Sequence, residues 1–87
     1  MKKKFNLSNK VIIITGALGL LGKKHVEVVA ENGGIPIIID TNKKNVVSLA
    51  KNISRKYNVS SMGLKVDITN EKQIINACRK ITKKFNT

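Results

Sequence analysis

With 87 residues, 41% of them hydrophobic, the chain can close one small core but not two. Its formal net charge of +12 invites an anionic partner, yet Arg55 and Arg79 are its only arginines and Phe5, Tyr57 and Phe85 its only aromatics, which argues against a nucleic-acid reader built on arginine forks and stacked rings. The single cysteine, Cys78, cannot form an internal disulfide, and no Cys/His cluster has metal-ligand spacing, so neither a disulfide scaffold nor a metal site is expected.

The chain opens on a basic start, Met1-Lys2-Lys3-Lys4, with an apolar run from Val11 to Gly22, the outline of a signal peptide. That run is shorter than the ~20 apolar residues a membrane span needs. It is also broken at Thr15-Gly16 and Gly19, and Lys23-Lys24-His25 follow where a cleavage site would stand. A cytoplasmic chain without membrane contact is expected.

Val11-Ile12-Ile13-Ile14 is a β-branched run without alternation, the pattern of a strand covered on both faces in a parallel sheet. From Leu20 to about Asn32 the apolar residues Leu21, Val26, Val28, Val29 and Ala30 fall at helical spacing, and Gly33-Gly34 supplies the stop. Ile35 to Asp40 reads as a second buried strand, its proline near the start where a missing donor is tolerated. Val46, Leu49, Ala50, Ile53 and Tyr57 then trace the apolar stripe of a helix over residues 42–57, with Lys44, Lys51 and Arg55 on its other side. Met62 to Asp67 is a third, weaker strand. Asn70 starts a last helix with Gln73 placed for a reciprocal capping box, and Ile74, Ala77, Cys78, Ile81 and Phe85 form its stripe. The fold class is therefore α/β, a three-layer β-α-β-α-β-α unit whose parallel strands lie in the order 3-2-1 through right-handed crossovers.

The first strand runs into Thr15-Gly16-Ala17-Leu18-Gly19-Leu20-Leu21-Gly22, with three glycines at three-residue spacing ahead of a helix. A phosphate-binding turn needs this arrangement: Gly16 for the tight reversal, Gly19 where a diphosphate must approach the main chain, and Gly22 where the helix packs close. The helix start adds unpaired N–H groups and partial positive charge. Asp40, 18 residues beyond Gly22, ends the second strand where a carboxylate can accept from adenosine ribose hydroxyls. Such a carboxylate repels a 2′-phosphate and so favours NAD over NADP, with Lys43 and Lys44 partly offsetting that repulsion. Its alternative role is to cap the next helix, in competition with Thr41 and Asn42.

The run from Leu7 through Thr15-Gly16, with the glycine turn, Asp40 and Asp67-Ile68-Thr69, resembles the short-chain dehydrogenase/reductases over nearly the whole chain. That resemblance implies the first half of a Rossmann fold that binds a nicotinamide dinucleotide. It implies cofactor contacts from Gly16, Leu18, Gly19, Leu20, Leu21 and Gly22 around the diphosphate, Asp40 and Thr41 at the ribose, and Asp67 and Ile68 at the adenine. Asp67 could alternatively be a loop or helix-cap residue. The glycine spacing, Thr-Gly-x-x-Gly-x-x-Gly, is that of the family's extended members, whereas Asp-Ile-Thr is similar to the compact ones, which leaves the subfamily open.

The family's chemistry uses a tyrosine with a lysine four residues later, a serine, and an Asn-Asn-Ala-Gly stretch, none of which this sequence contains. Tyr57 is followed at the fourth position by Ser61 and completes an apolar stripe. His25 reads as a solvated surface residue and Cys78 as a buried hydrophobe. No catalytic residue is assigned. Residues 1–87 are therefore expected to be a partial dinucleotide-binding domain whose C-terminal half is absent, part of an oxidoreductase that moves a hydride between nicotinamide and an alcohol or carbonyl carbon, and inactive alone. An unpaired apolar edge is expected on the first strand, and a homo-oligomeric complete form is left open. The competing readings are a stand-alone NAD-sensing module and a basic nucleic-acid-binding domain.

Overall fold

The strand Ile35–Asp40 (β2) lies at the centre of a three-stranded parallel sheet in the computed structural model, which describes residues 6–86. Met1 to Phe5, and with them the basic start, lie outside the described residues. Val11–Thr15 (β1) flanks β2 on one side, with Ile13 opposite Ile37, and Met62–Lys65 (β3) flanks it on the other, with Leu64 opposite Ile39. The order is thus 3-2-1, as the alternation of elements predicts.

Because strand side chains alternate between faces, β2 feeds two cores. Ile38, with Ile14 of β1, packs against Val26, Val29 and Ala30 of helix Leu20–Glu31 (α1) and Val46, Ala50 and Ile53 of helix Lys43–Tyr57 (α2). Ile37 and Ile39 face the opposite way, onto Val66 and onto Ala77 and Ile81 of helix Glu71–Phe85 (α3). Residues 36–39 are all buried, so β2 is covered on both sides.

That cover does not extend to β1, and the expectation of a doubly covered first strand is corrected. Ile14 is buried beneath the helices, while Ile13 on the α3 face is 49% exposed. Two helical stripes are also narrower than their spacing predicts. Leu21 and Val28 of α1 are exposed, and Val28 lies beside β1 at the edge that β2 leaves unpaired. On α3 only Ala77 and Ile81 are buried, whereas Ile74 and Cys78 are exposed, so Cys78 is not the buried hydrophobe expected.

The helix ends follow local chemistry. Gly33, at φ +84°, carries the chain out of α1 and donates its N–H to the Ala30 carbonyl. Asn42 caps α2 by accepting from the Asn45 N–H, which removes the capping role considered for Asp40. Asn70 caps α3 through the Gln73 N–H. The reciprocal half of that box is not formed, because the Asn70 N–H already donates to the Asp67 carbonyl at 2.9 Å and Gln73 reaches past it to the Asp67 N–H at 2.8 Å. The third strand stops at Lys65, two residues short of its predicted end, and Asp67 lies in the turn.

Helices α1 and α2 share one face and α3 takes the other. With right-handed crossovers, a parallel strand following α3 would be delivered to the free edge of β1, not to that of β3.

The two faces of the central strands make a stability test. Ile38→Ala, which empties a fully buried site, is expected to cost about 3 kcal/mol in urea unfolding, and Ile13→Ala about 1 kcal/mol or less. Equal losses would mean that β1 is covered as fully as β2.

Candidate functional site

The carboxyl ends of β1, β2 and β3 carry every residue expected at the cofactor. Beyond Thr15, Gly16 turns the chain at φ +61°, a conformation that L side chains rarely adopt. Ala17 is fully buried beneath the turn and its N–H donates to the Ile39 carbonyl at 3.2 Å. Gly19 closes the turn by donating to the Gly16 carbonyl at 3.1 Å, then serves as the residue preceding α1. At Gly22, in the first turn of α1, a Cβ would collide with the Gly16 carbonyl oxygen and lie 2.8 Å from the Ala17 Cα. Only a hydrogen fits there, so the helix rests directly on the turn.

The amides of this segment divide into two sets. Those of Ala17, Leu18 and Gly19 are engaged within the protein. Those of Leu20, Leu21 and Gly22 meet no acceptor among the described residues, as the first turn of a helix requires. No acidic residue stands in that turn, and Lys23 and Lys24 follow it, so the open amides lie in a positive field. The Leu20 side chain is 80% exposed.

Asp40 is half-buried at the end of β2 and joins that strand to the turn. Its Oδ2 accepts from the Leu18 N–H at 3.0 Å and its Oδ1 from the Thr41 N–H at 2.8 Å. Bonds donated by Thr41 and Leu18 to the charged form outweigh the opposing effect of burial and hold its pKa below the ordinary carboxylate value. Each carboxylate oxygen accepts more than one bond, so capacity for hydroxyl donors remains. The contact between Asp40 and Leu18 spans 22 residues and carries no local sequence signal.

Asp67 is exposed in the turn after β3, where Oδ1 accepts from the Thr69 hydroxyl at 2.6 Å and the Thr69 N–H at 2.9 Å. These two bonds lower its pKa. This turn role, one of the two readings of Asp67, leaves Oδ2 without a partner among the described residues, and the adjacent Ile68 N–H is likewise open. Asp-x-Thr is the sequence signal for such a turn. Gln73, which pins the Asp67 amide, went unassigned as a site residue.

The remaining polar candidates lie elsewhere. The Tyr57 hydroxyl is within 3.3 Å of Glu27 and 3.4 Å of Glu31, and Lys56 pairs with Glu27, tying α2 to α1. Burial, the largest influence, raises the Tyr57 pKa. His25 and Cys78 are exposed and belong to no cluster at the strand ends. Among the described residues no group of His, Cys, Asp or Glu could hold a metal ion, and no helix is long and apolar enough to cross a membrane.

Three comparisons bear on this arrangement. A sequence model of the short chain dehydrogenases matches residues 10–87. An NAD-dependent glycerol dehydrogenase from Listeria innocua is 34% identical over 67 residues, 77% of this chain and 25% of that protein. Post-translational flagellin modification protein A from Campylobacter coli is 31% identical over 65 residues, again 25% of its length. Among solved structures, the NADPH-dependent 3-quinuclidinone reductase from Rhodotorula rubra superposes with a TM-score of 0.87 at 23% identity, over 94% of this chain and 31% of its own. The chain spans between 25% and 31% of the length of these proteins.

The Asp40 clamp has a pH signature. Since its folded pKa is depressed, the stabilisation it gives is complete above the unfolded value and is lost as pH falls through the folded one. Asp40→Asn should therefore melt below the wild type at neutral pH, with the gap closing in acid. A gap that persists unchanged at the lowest pH where both fold would refute the clamp.

Proposed function

The chain belongs to the short chain dehydrogenase family, and on that premise we propose that it forms the adenosine and diphosphate half of the cofactor site in a nicotinamide-dependent oxidoreductase, with NAD preferred over NADP. The observation that carries this reading is the pairing of three open amides, at Leu20, Leu21 and Gly22, with a turn that lies against α1 because Gly22 lacks a side chain. Unpaired N–H groups, a helix dipole and bare main chain are what a diphosphate requires. The group fits the residues present.

In this reading Gly16, Gly19, Leu20, Leu21 and Gly22 surround the diphosphate, and Leu18 acts through its bond to Asp40. Asp40, with Thr41 beside it, takes the ribose hydroxyls. The free Oδ2 of Asp67 and the Ile68 N–H form a matching acceptor and donor for an adenine edge. The nicotinamide of the bound cofactor accepts or supplies the hydride. The chain's own part is to anchor the other end of the molecule, and the tyrosine, lysine and serine that handle substrate must come from sequence outside these 87 residues. Residues 1–87 thus constitute part of a dinucleotide-binding domain, and a cytoplasmic setting suits its single free cysteine.

The preference for NAD follows from Asp40. Its two backbone bonds keep it ionised and fixed, and a 2′-phosphate at the ribose would bring like charge against it at a cost of several kcal/mol. Lys43 and Lys44 lie one turn further on, exposed, where solvent screens them.

Fluorescence titration of the 87-residue chain with NADH and NADPH tests the reading. NADH should bind at least about tenfold more tightly, Asp40→Asn should narrow that ratio, and no turnover of alcohols should accompany binding. Gly19 has φ −70°, which any residue adopts. An added Cβ there comes 3.3 Å from the Gly16 carbonyl oxygen, so Gly19→Val, with its fold checked by circular dichroism, should abolish binding of both nucleotides. Unaltered binding in that variant would refute the diphosphate assignment.

A further inference from the structure

We propose that the free edge of β3 docks an extended acidic peptide segment of another protein, added as a fourth strand and gripped by cations from α2 and α3. The edge itself is the first observation. Among the described residues β3 pairs only with β2, and because the Val66 N–H points inward to the Asp40 carbonyl, alternation along the strand turns the peptide groups of Gly63 and Lys65 outward. No described residue bonds to their N–H groups.

The second observation is the charge around that edge. Gly63 lines two grooves that run along this edge, each bordered by residues of both α2 and α3. The groove nearer α2 has Val47 and Ala50 as its apolar lining, Met62 at its edge, and Lys51, Arg55 and Lys84 about it. The groove toward α3 is bordered by Lys43, Lys65 and Lys80. No acidic side chain lines either one. All five acids of the sequence lie elsewhere: Glu27 and Glu31 on α1, Asp40 and Asp67 at the strand ends, and Glu71 at the start of α3.

Together these features select one kind of occupant. An open strand edge offers main-chain bonds in the register of an extended peptide, and the apolar lining suits alternate side chains of that strand. Cations in both grooves repel a second copy of this same edge, as lysines on edge strands do, and attract a strand bearing carboxylates. Described residues lining the grooves include no aromatic on which a nucleobase could stack. Because the crossover rule directs further parallel strands to β1, the β3 edge stays available in a longer chain.

A fluorescein-labelled peptide of alternating Glu and Val is the probe. It should bind the 87-residue chain with an affinity that falls as salt rises, while the matching Gln and Val peptide does not bind. Lys51→Glu with Arg55→Glu, and separately Lys80→Glu with Lys84→Glu, should each weaken binding by about tenfold or more. Lys10→Glu with Lys24→Glu, which changes charge equally far from β3, should leave it unchanged, with circular dichroism confirming that every variant folds. Amide exchange at Gly63 and Lys65 should slow when the peptide is present. Equal weakening by all three variants, unchanged exchange at Gly63 and Lys65, or displacement of the peptide by oligothymidylate at lower concentration than by unlabelled peptide would each overturn the proposal.

Discussion

Between Gly22 and the carbonyl oxygen of Gly16 there is room for a hydrogen atom and nothing larger, and the upper end of the molecule is arranged around that approach. With α1 seated so low, Ala17 is pressed into the core, its amide meets the Ile39 carbonyl, and the next amide, that of Leu18, comes within reach of Asp40. Any side chain at Gly22 would lift the helix and undo these contacts together. The open amides of the first helical turn are then held by packing, so a ligand meets donors already in place and little ordering entropy remains to be lost on binding.

The sequence reveals what depends on periodicity and on glycine. The strand at residues 35–40 and the stripe from Val46 to Tyr57 report local patterns that the fold keeps, the run at 11–14 foretells a strand but not its cover, and the turn at residues 15–22 is legible because each glycine answers a distinct steric need. What stays hidden depends on partners distant in the chain. Nothing near Leu18 announces a carboxylate 22 positions away, and nothing near Gln73 indicates that its amide will pass Asn70 to reach Asp67. Apolar spacing alone also overstates burial: Ile13 lies beyond the reach of α3, and Val28 sits at the edge of β1 that no strand pairs among the described residues.

Charge is distributed as unevenly as packing. Two glutamates of α1 are drawn into the Tyr57 and Lys56 cluster, and two aspartates are occupied by backbone amides in the turns. That leaves Lys43, Lys51 and Arg55 of α2 and the β3 side without an acidic partner among the described residues. Lysine there keeps the chain dispersed and its sheet edge unattractive to like copies, while the strand ends, where acids are placed with their partners, keep a finer electrostatic pattern.

Helix α3 is held to the sheet by Ala77, Ile81 and the half-buried Phe85, the slenderest attachment of the three helices. Asp67 and Ile68 stand at its root, and Gln73, which steadies the Asp67 amide, belongs to its first turn. Any excursion of α3 away from the sheet would therefore disturb the turn of Asp67 and Ile68, the rim proposed for adenine, while the glycine turn is anchored separately through Ala17 and Asp40. In the site as proposed, the diphosphate cradle is thus built into the packed core, whereas the base would rest against the helix with the least purchase on the sheet.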